Sequence, residues 1–170
     1  EEHCPVRIVL EALAARLAFK RITPADLQKM EEAFEGMKRA AQEKDARLYW
    51  RYHLDFHEIF IAASGNTLLI DILRILRIQT VWHRFYFQYH EENYRNSLAL
   101  HRRILNLFES QSTNEEVIEE AIRDHLKKGF KRFTAYLKVQ ADSSEGRHEW
   151  RDETAAHRDI TVSRISEKRK

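Results

Sequence analysis

Breakers are scarce in this chain of 170 residues: only 4 glycines and 2 prolines. That scarcity disfavours an architecture of short strands and tight turns and favours long helices. The single cysteine, Cys4, excludes an intrachain disulfide and fits a reducing compartment. No apolar run reaches the length of a membrane span, and no secretory leader opens the sequence. These absences point to a cytoplasmic protein with no membrane partner. Neither charge sign dominates. A net charge of +2 gives no footing for wholesale nucleic-acid binding by these residues. With 43% hydrophobic and 11% aromatic residues, the chain has the composition of a globular domain with a sizeable core. The first residues, Glu1-Glu2-His3, include no methionine, so a longer parent protein is expected.

What is present is helical periodicity. Val6, Val9/Leu10, Leu13 and Leu17 form an apolar stripe from Pro5 to Lys20. Thr23-Pro24-Ala25-Asp26 is a helix start, with a capping hydroxyl, a proline suited to the first turn and an acid at the positive end of the dipole. Leu27, Met30, Phe34 and Met37 mark a second helix. Leu48, Tyr52, Phe56, Ile59 and Phe60 mark a third, from about Asp45 to Ala63. Ser64-Gly65-Asn66 ends it, with Gly65 suited to a left-handed position and Asn66 to capping the next helix. Thr67 to Gln88 reads as helix. The polar stretch His90 to Asn96 reads as a break, and Ser97 to Glu109 as another helix. Thr113-Asn114-Glu115-Glu116 has the form of a capping box before a last helix ending near Leu137. The expectation is an all-α antiparallel bundle of six or more helices, with one domain over residues 1–138 and a polar extension over 139–170.

Four histidines fall inside these helical segments: His53, His57, His101 and His125. The first two are four apart and share a helix face. One histidine from each of two other helices could join them at a single point. Imidazole suits zinc, nickel and iron, and buried histidines without such a centre would need other partners. The competing reading is four half-buried histidines with local hydrogen bonds, which an i, i+4 pair alone does not exclude. His83 and His90 are seven apart on the aromatic segment and could share a face, although structural or surface roles suit them better. His3, His148 and His157 lie near the termini and are expected in solvent.

The order of these pieces resembles the FCD domain, the C-terminal effector domain of GntR-type transcription regulators of the FadR subfamily. Arg7-Ile8-Val9-Leu10-Glu11-Ala12-Leu13-Ala14-Ala15-Arg16-Leu17-Ala18 resembles its opening helix. Phe56-His57 with Ala63-Ser64-Gly65-Asn66, then Ser97, His101 and Ile104, then His125-Leu126, resemble its later signatures. The resemblance runs from about Val6 to Leu137. It implies a divalent ion held by His57, His101 and His125, with His53 standing where the family usually has Asp or Asn, either as a fourth ligand or turned aside from a three-histidine site. Exchanging a carboxylate for a neutral imidazole favours zinc or nickel over harder ions. It also implies a small organic acid bound beside the ion. Arg7, Arg16 and Arg102 are candidates for its carboxylate, and Ser97 for a hydrogen bond.

A homodimer is implied as well, with operator DNA read by a winged helix-turn-helix domain that has no counterpart in this sequence. No catalytic residue is assigned. Two other classes stay open on the residues alone. One is a helical metalloenzyme of hydrolase type using the same histidines, although the Glu-x-x-His spacing of di-iron bundles is absent around them and Glu58 faces away from His57. The other is a bare dimerisation bundle with structural histidines.

Overall fold

The computed structural model describes residues 3–78, 91–110 and 114–142, and all secondary structure among them is helical. Six helices follow in order: α1 (His3–Phe19), α2 (Pro24–Gln42), α3 (Ala46–Ala63), α4 (Thr67–Ile78), α5 (Glu91–Ser110) and α6 (Glu115–Asp142). This is the expected antiparallel helical bundle. Two compact units are distinguished, Glu1–Lys131 and Arg132–Lys170. The first holds the core and every residue of the site below. Of the second, only the helical residues 132–142 are described, so most of the polar extension over 139–170 lies outside the described residues.

Local chemistry sets the starts of α2, α3 and α4 where the sequence placed them. Thr23 Oγ1 accepts from the Asp26 backbone N–H, and the Asp26 carboxylate accepts from the Thr23 N–H, which completes a capping box for α2. That bonding also holds the Asp26 carboxyl below its ordinary range. At the other end of α2, Lys44 takes a left-handed φ of 58°. The Asp45 N–H then reaches Ala40 O and the Lys44 N–H reaches Ala41 O, the two bonds of a Schellman motif. Asp45 also caps α3 by accepting from the Leu48 N–H at 2.8 Å. Gly65, at φ 67°, makes the turn into α4, and Asn66 Oδ1 accepts from the Leu69 N–H at 3.1 Å.

Three expectations shift. Residues 91–96 are helical, so α5 starts six residues before Ser97. Polar side chains do not break a helix without glycine, proline or a competing cap, and Tyr94 is buried within this turn. A break preceding α5 would fall in residues 79–90, outside the described residues. At α6 the capping side chain is Asn114, which accepts from the Val117 N–H at 3.1 Å. The cap therefore sits one residue later than the Thr113 reading, and Thr113 lies outside the described residues. The helix also runs past Leu137 to Asp142.

The largest difference is the rotation of α1. Val6, Val9 and Leu13 are 50%, 51% and 38% exposed, while Cys4, Arg7, Glu11, Ala14, Ala15 and Ala18 are buried. The small residues face the bundle because they let α1 approach α3 and α4, against which it packs. A similar fit joins α2 to α3. At Gly36 an added Cβ would stand 2.6 Å from the Tyr52 ring, so the absence of a side chain sets how close these helices come. Met30, Phe34 and Met37 of α2, Phe56 and Phe60 of α3, Ile104, Leu105 and Phe108 of α5, and Ile118 and Ile122 of α6 fill the core.

Candidate metal centre

The four histidines converge. His53 and His57 come from α3, His101 from α5 and His125 from α6, and all four are buried. One nitrogen from each lies within 4.8 Å of the others. Spacing along each helix explains the convergence. On α3, Tyr49, His53, Phe56, His57 and Phe60 form one buried face. On α5, Tyr94, Ser97, His101, Ile104 and Phe108 do the same. The α3 face is therefore turned from the expected set, with Leu48, Tyr52 and Ile59 only half-buried. Trp50 stacks on His53 with centroids 4.9 Å apart, and Phe56 lies edge-on to His101 at 5.1 Å.

Second partners act on two of the rings, His57 and His101. His57 Nδ1 lies 3.0 Å from Glu11 Oε2, and a carboxylate there accepts, so Nδ1 is the donor. His101 Nδ1 lies 2.7 Å from the Ser97 carbonyl oxygen, which can only accept. Ser97 Oγ lies 3.4 Å from the same nitrogen. Neutral rings with the proton on Nδ1 would present bare Nε2 lone pairs, and the two Nε2 atoms face each other across 3.2 Å. Two lone pairs at that distance repel unless something positive sits between them. A tetrahedral ion with Zn–N bonds of about 2.0–2.1 Å holds two nitrogens about 3.3 Å apart. The donor set fits a borderline divalent ion.

Burial favours the neutral, ligating form of His53, His101 and His125. Burial pushes His101 down to about 3, helped by the neighbouring His57. Burial also carries His53 and His125 well below 6.5, with His57 and His101 adding to the effect. His125 Nδ1 is buried with no hydrogen-bond partner among the described residues, a group that calls for an ion or another ligand.

Glu11 was not anticipated as a site residue. It is fully buried, and its Oε1 takes a 2.6 Å bond from Arg7 Nε. The signals were an i, i+4 pair with Arg7 and the adjoining run of alanines, which marks the tightly packed face. Among the arginine candidates, Arg7 is the one brought to the cluster. It is buried, and its charge acts on both His53 and His125. Arg102 is held elsewhere: it meets Glu31 through two 2.7 Å bonds and lies over the Phe34 ring at 4.1 Å. Arg16 reaches Glu119 at 3.2 Å with its side chain 42% exposed. Ser97 is buried beside His101, with its carbonyl closer than its hydroxyl. His83, His90, His148 and His157 lie outside the described residues, as does the side chain of His3.

A helical bundle built around a buried four-histidine cluster is the class that fold and site define. The FCD domain model matches residues 2–128, and the chain belongs to the FCD domain family. That makes it a regulatory, effector-binding domain. Among solved structures it is similar to E. coli McbR/YncC, with a TM-score of 0.68 and 21% identity. The match covers 83% of this chain and 65% of that one, so the chain spans just under two thirds of that structure's length. No curated protein matches. No helix of the described residues is long and apolar enough to cross a membrane.

Proposed function

We propose that this chain is the effector-sensing and dimerisation domain of a GntR-type bacterial transcription regulator. In this reading His53, His57, His101 and His125 hold one divalent ion, zinc or nickel. The carrying observation is the pair of Nε2 atoms facing each other at 3.2 Å with both Nδ1 atoms committed to acceptors. The ion would supply a Lewis-acidic position for a carboxylate oxygen of a small organic acid. Arg7 is buried, bonds Glu11 through Nε and acts by its charge on His53 and His125, so its guanidinium suits the other end of that ligand, and Ser97 adds a polar group next to His101. Arg16 and Arg102 remain weaker candidates, because both are engaged in surface ion pairs. No catalytic role is assigned. Among the described residues the buried carboxylate beside the cluster is Glu11, which is bonded to His57 and Arg7 and so is not placed as a general base.

A homodimer suits the exposed apolar residues. Val6, Val9 and Leu13 on α1 and Leu68, Ile72 and Ile75 on α4 are exposed on two helices that pack together. Operator DNA would be read by a winged helix-turn-helix domain outside this chain. Ligand binding would regulate it by favouring one dimer arrangement. The experiment is a thermal-shift screen of zinc-loaded protein against small hydroxy acids, sugar acids and dicarboxylates. A ligand at a hundred times its Kd should stabilise the fold by about 2.7 kcal/mol. Arg7→Ala should abolish the shift in protein kept saturated with zinc. No shift with any of these acids would sink the sensor reading.

A further inference from the structure

Burying a carboxylate costs several kcal/mol unless both oxygens are well partnered. Glu11 is fully buried, and each oxygen has a partner of opposite or polarisable character. Arg7 Nε donates to Oε1 at 2.6 Å and His57 Nδ1 donates to Oε2 at 3.0 Å. Arg7 is one helical turn before Glu11 on α1, so the same helix supplies both the carboxylate and the cation that holds it. Glu11 is not among the groups whose atoms reach the ligand cluster. Its reach toward the centre runs through His57.

We propose that Glu11 is a positioning residue of the metal centre, which locks His57 as an Nε2 donor by accepting its Nδ1 proton. This rests on the four-histidine centre proposed above. Without Glu11 the imidazole could carry its proton on either nitrogen. In the Nε2–H form it would point a proton, not a lone pair, at His101 Nε2. A carboxylate on Nδ1–H also raises the basicity of the coordinating nitrogen. The role matters more here than in a site with a carboxylate ligand. All four donors are imidazoles, which bring no negative charge, and Glu11 is an acid in bonding contact with one of them.

The test combines two measurements on wild type, Glu11→Gln and Glu11→Ala. Zinc dissociation constants come from competition with a chromophoric chelator. The His57 tautomer comes from long-range 1H–15N spectra of the metal-free protein. Glu11→Ala should bind zinc about 10–100-fold more weakly, and its His57 should lose the pure Nδ1–H signature. Glu11→Gln keeps an acceptor oxygen and should recover much of both. If Glu11→Ala does not fold, Glu11→Gln decides alone: an Nδ1–H signature retained with a zinc constant between wild type and tenfold weaker supports the role. Zinc affinity and tautomer both unchanged in Glu11→Ala, or an Nε2–H His57 in wild type, would overturn it. Wild type that binds no divalent ion would instead remove the metal centre, with the tautomer result still deciding whether Glu11 sets the ring.

Discussion

Acid should destabilise the metal-free domain in a window set by its histidines. In the folded state His101 is pushed down to about 3, and His53 and His125 lie well below 6.5, all chiefly by burial. Unfolded, each would titrate near 6.5. Between the two values the unfolded chain binds more protons than the folded one, so stability falls as pH falls through 6.5 and continues to fall toward the folded values. At pH 5.5 an unfolded histidine is about ten-elevenths protonated, which favours unfolding by a little over about 1 kcal/mol per ring relative to high pH. Three such rings give about 4 kcal/mol, a large share of the 5–15 kcal/mol typical of a domain. Urea unfolding of chelator-treated protein at pH 7.5 and 5.5 measures it. His101→Gln should shrink the difference by about a third. A wild-type difference under about 1 kcal/mol, or one that His101→Gln leaves unchanged, would refute the argument that these rings are buried neutral.

Other expectations follow from packing, caps and ion chemistry. Gly36→Ala puts a Cβ 2.6 Å from the Tyr52 ring. It should cost about 1–2 kcal/mol after the gain in helix propensity. In a Tyr52→Ala background the same change should turn stabilising, which a double-mutant cycle reads directly. Asp45→Ala removes the α3 cap and should cost about 0.5–2 kcal/mol in urea unfolding with metal affinity unchanged. Metal competition should rank zinc and nickel far above magnesium and manganese, since four imidazoles offer no hard oxygen.

The bundle was legible because helix periodicity, scarce breakers and local caps agree along the chain. Thr23, Asp45 and Asn66 act through hydrogen bonds to residues three positions away, so sequence contains the whole interaction. The rotation of α1 was not legible in the same way. Its larger apolar residues, Val6, Val9 and Leu13, suggested one face, yet the helix turns its alanines inward because close approach outweighs side-chain size there. Glu11 was hidden by the same error, since a stripe drawn through Val6 and Leu13 leaves it on the solvent side. The histidines were legible as ring positions but not as donors. Which nitrogen His57 and His101 offer depends on Glu11, 46 residues from His57, and on a backbone carbonyl of Ser97.

Metal stoichiometry decides whether the four histidines hold an ion. Chelator-treated protein titrated with zinc should take up one ion per chain. His57→Ala and His101→Ala should each abolish tight binding, while Arg102→Gln should leave it intact. Wild-type protein that binds no zinc or nickel, or that binds one ion just as tightly without His57 and His101, would contradict the account.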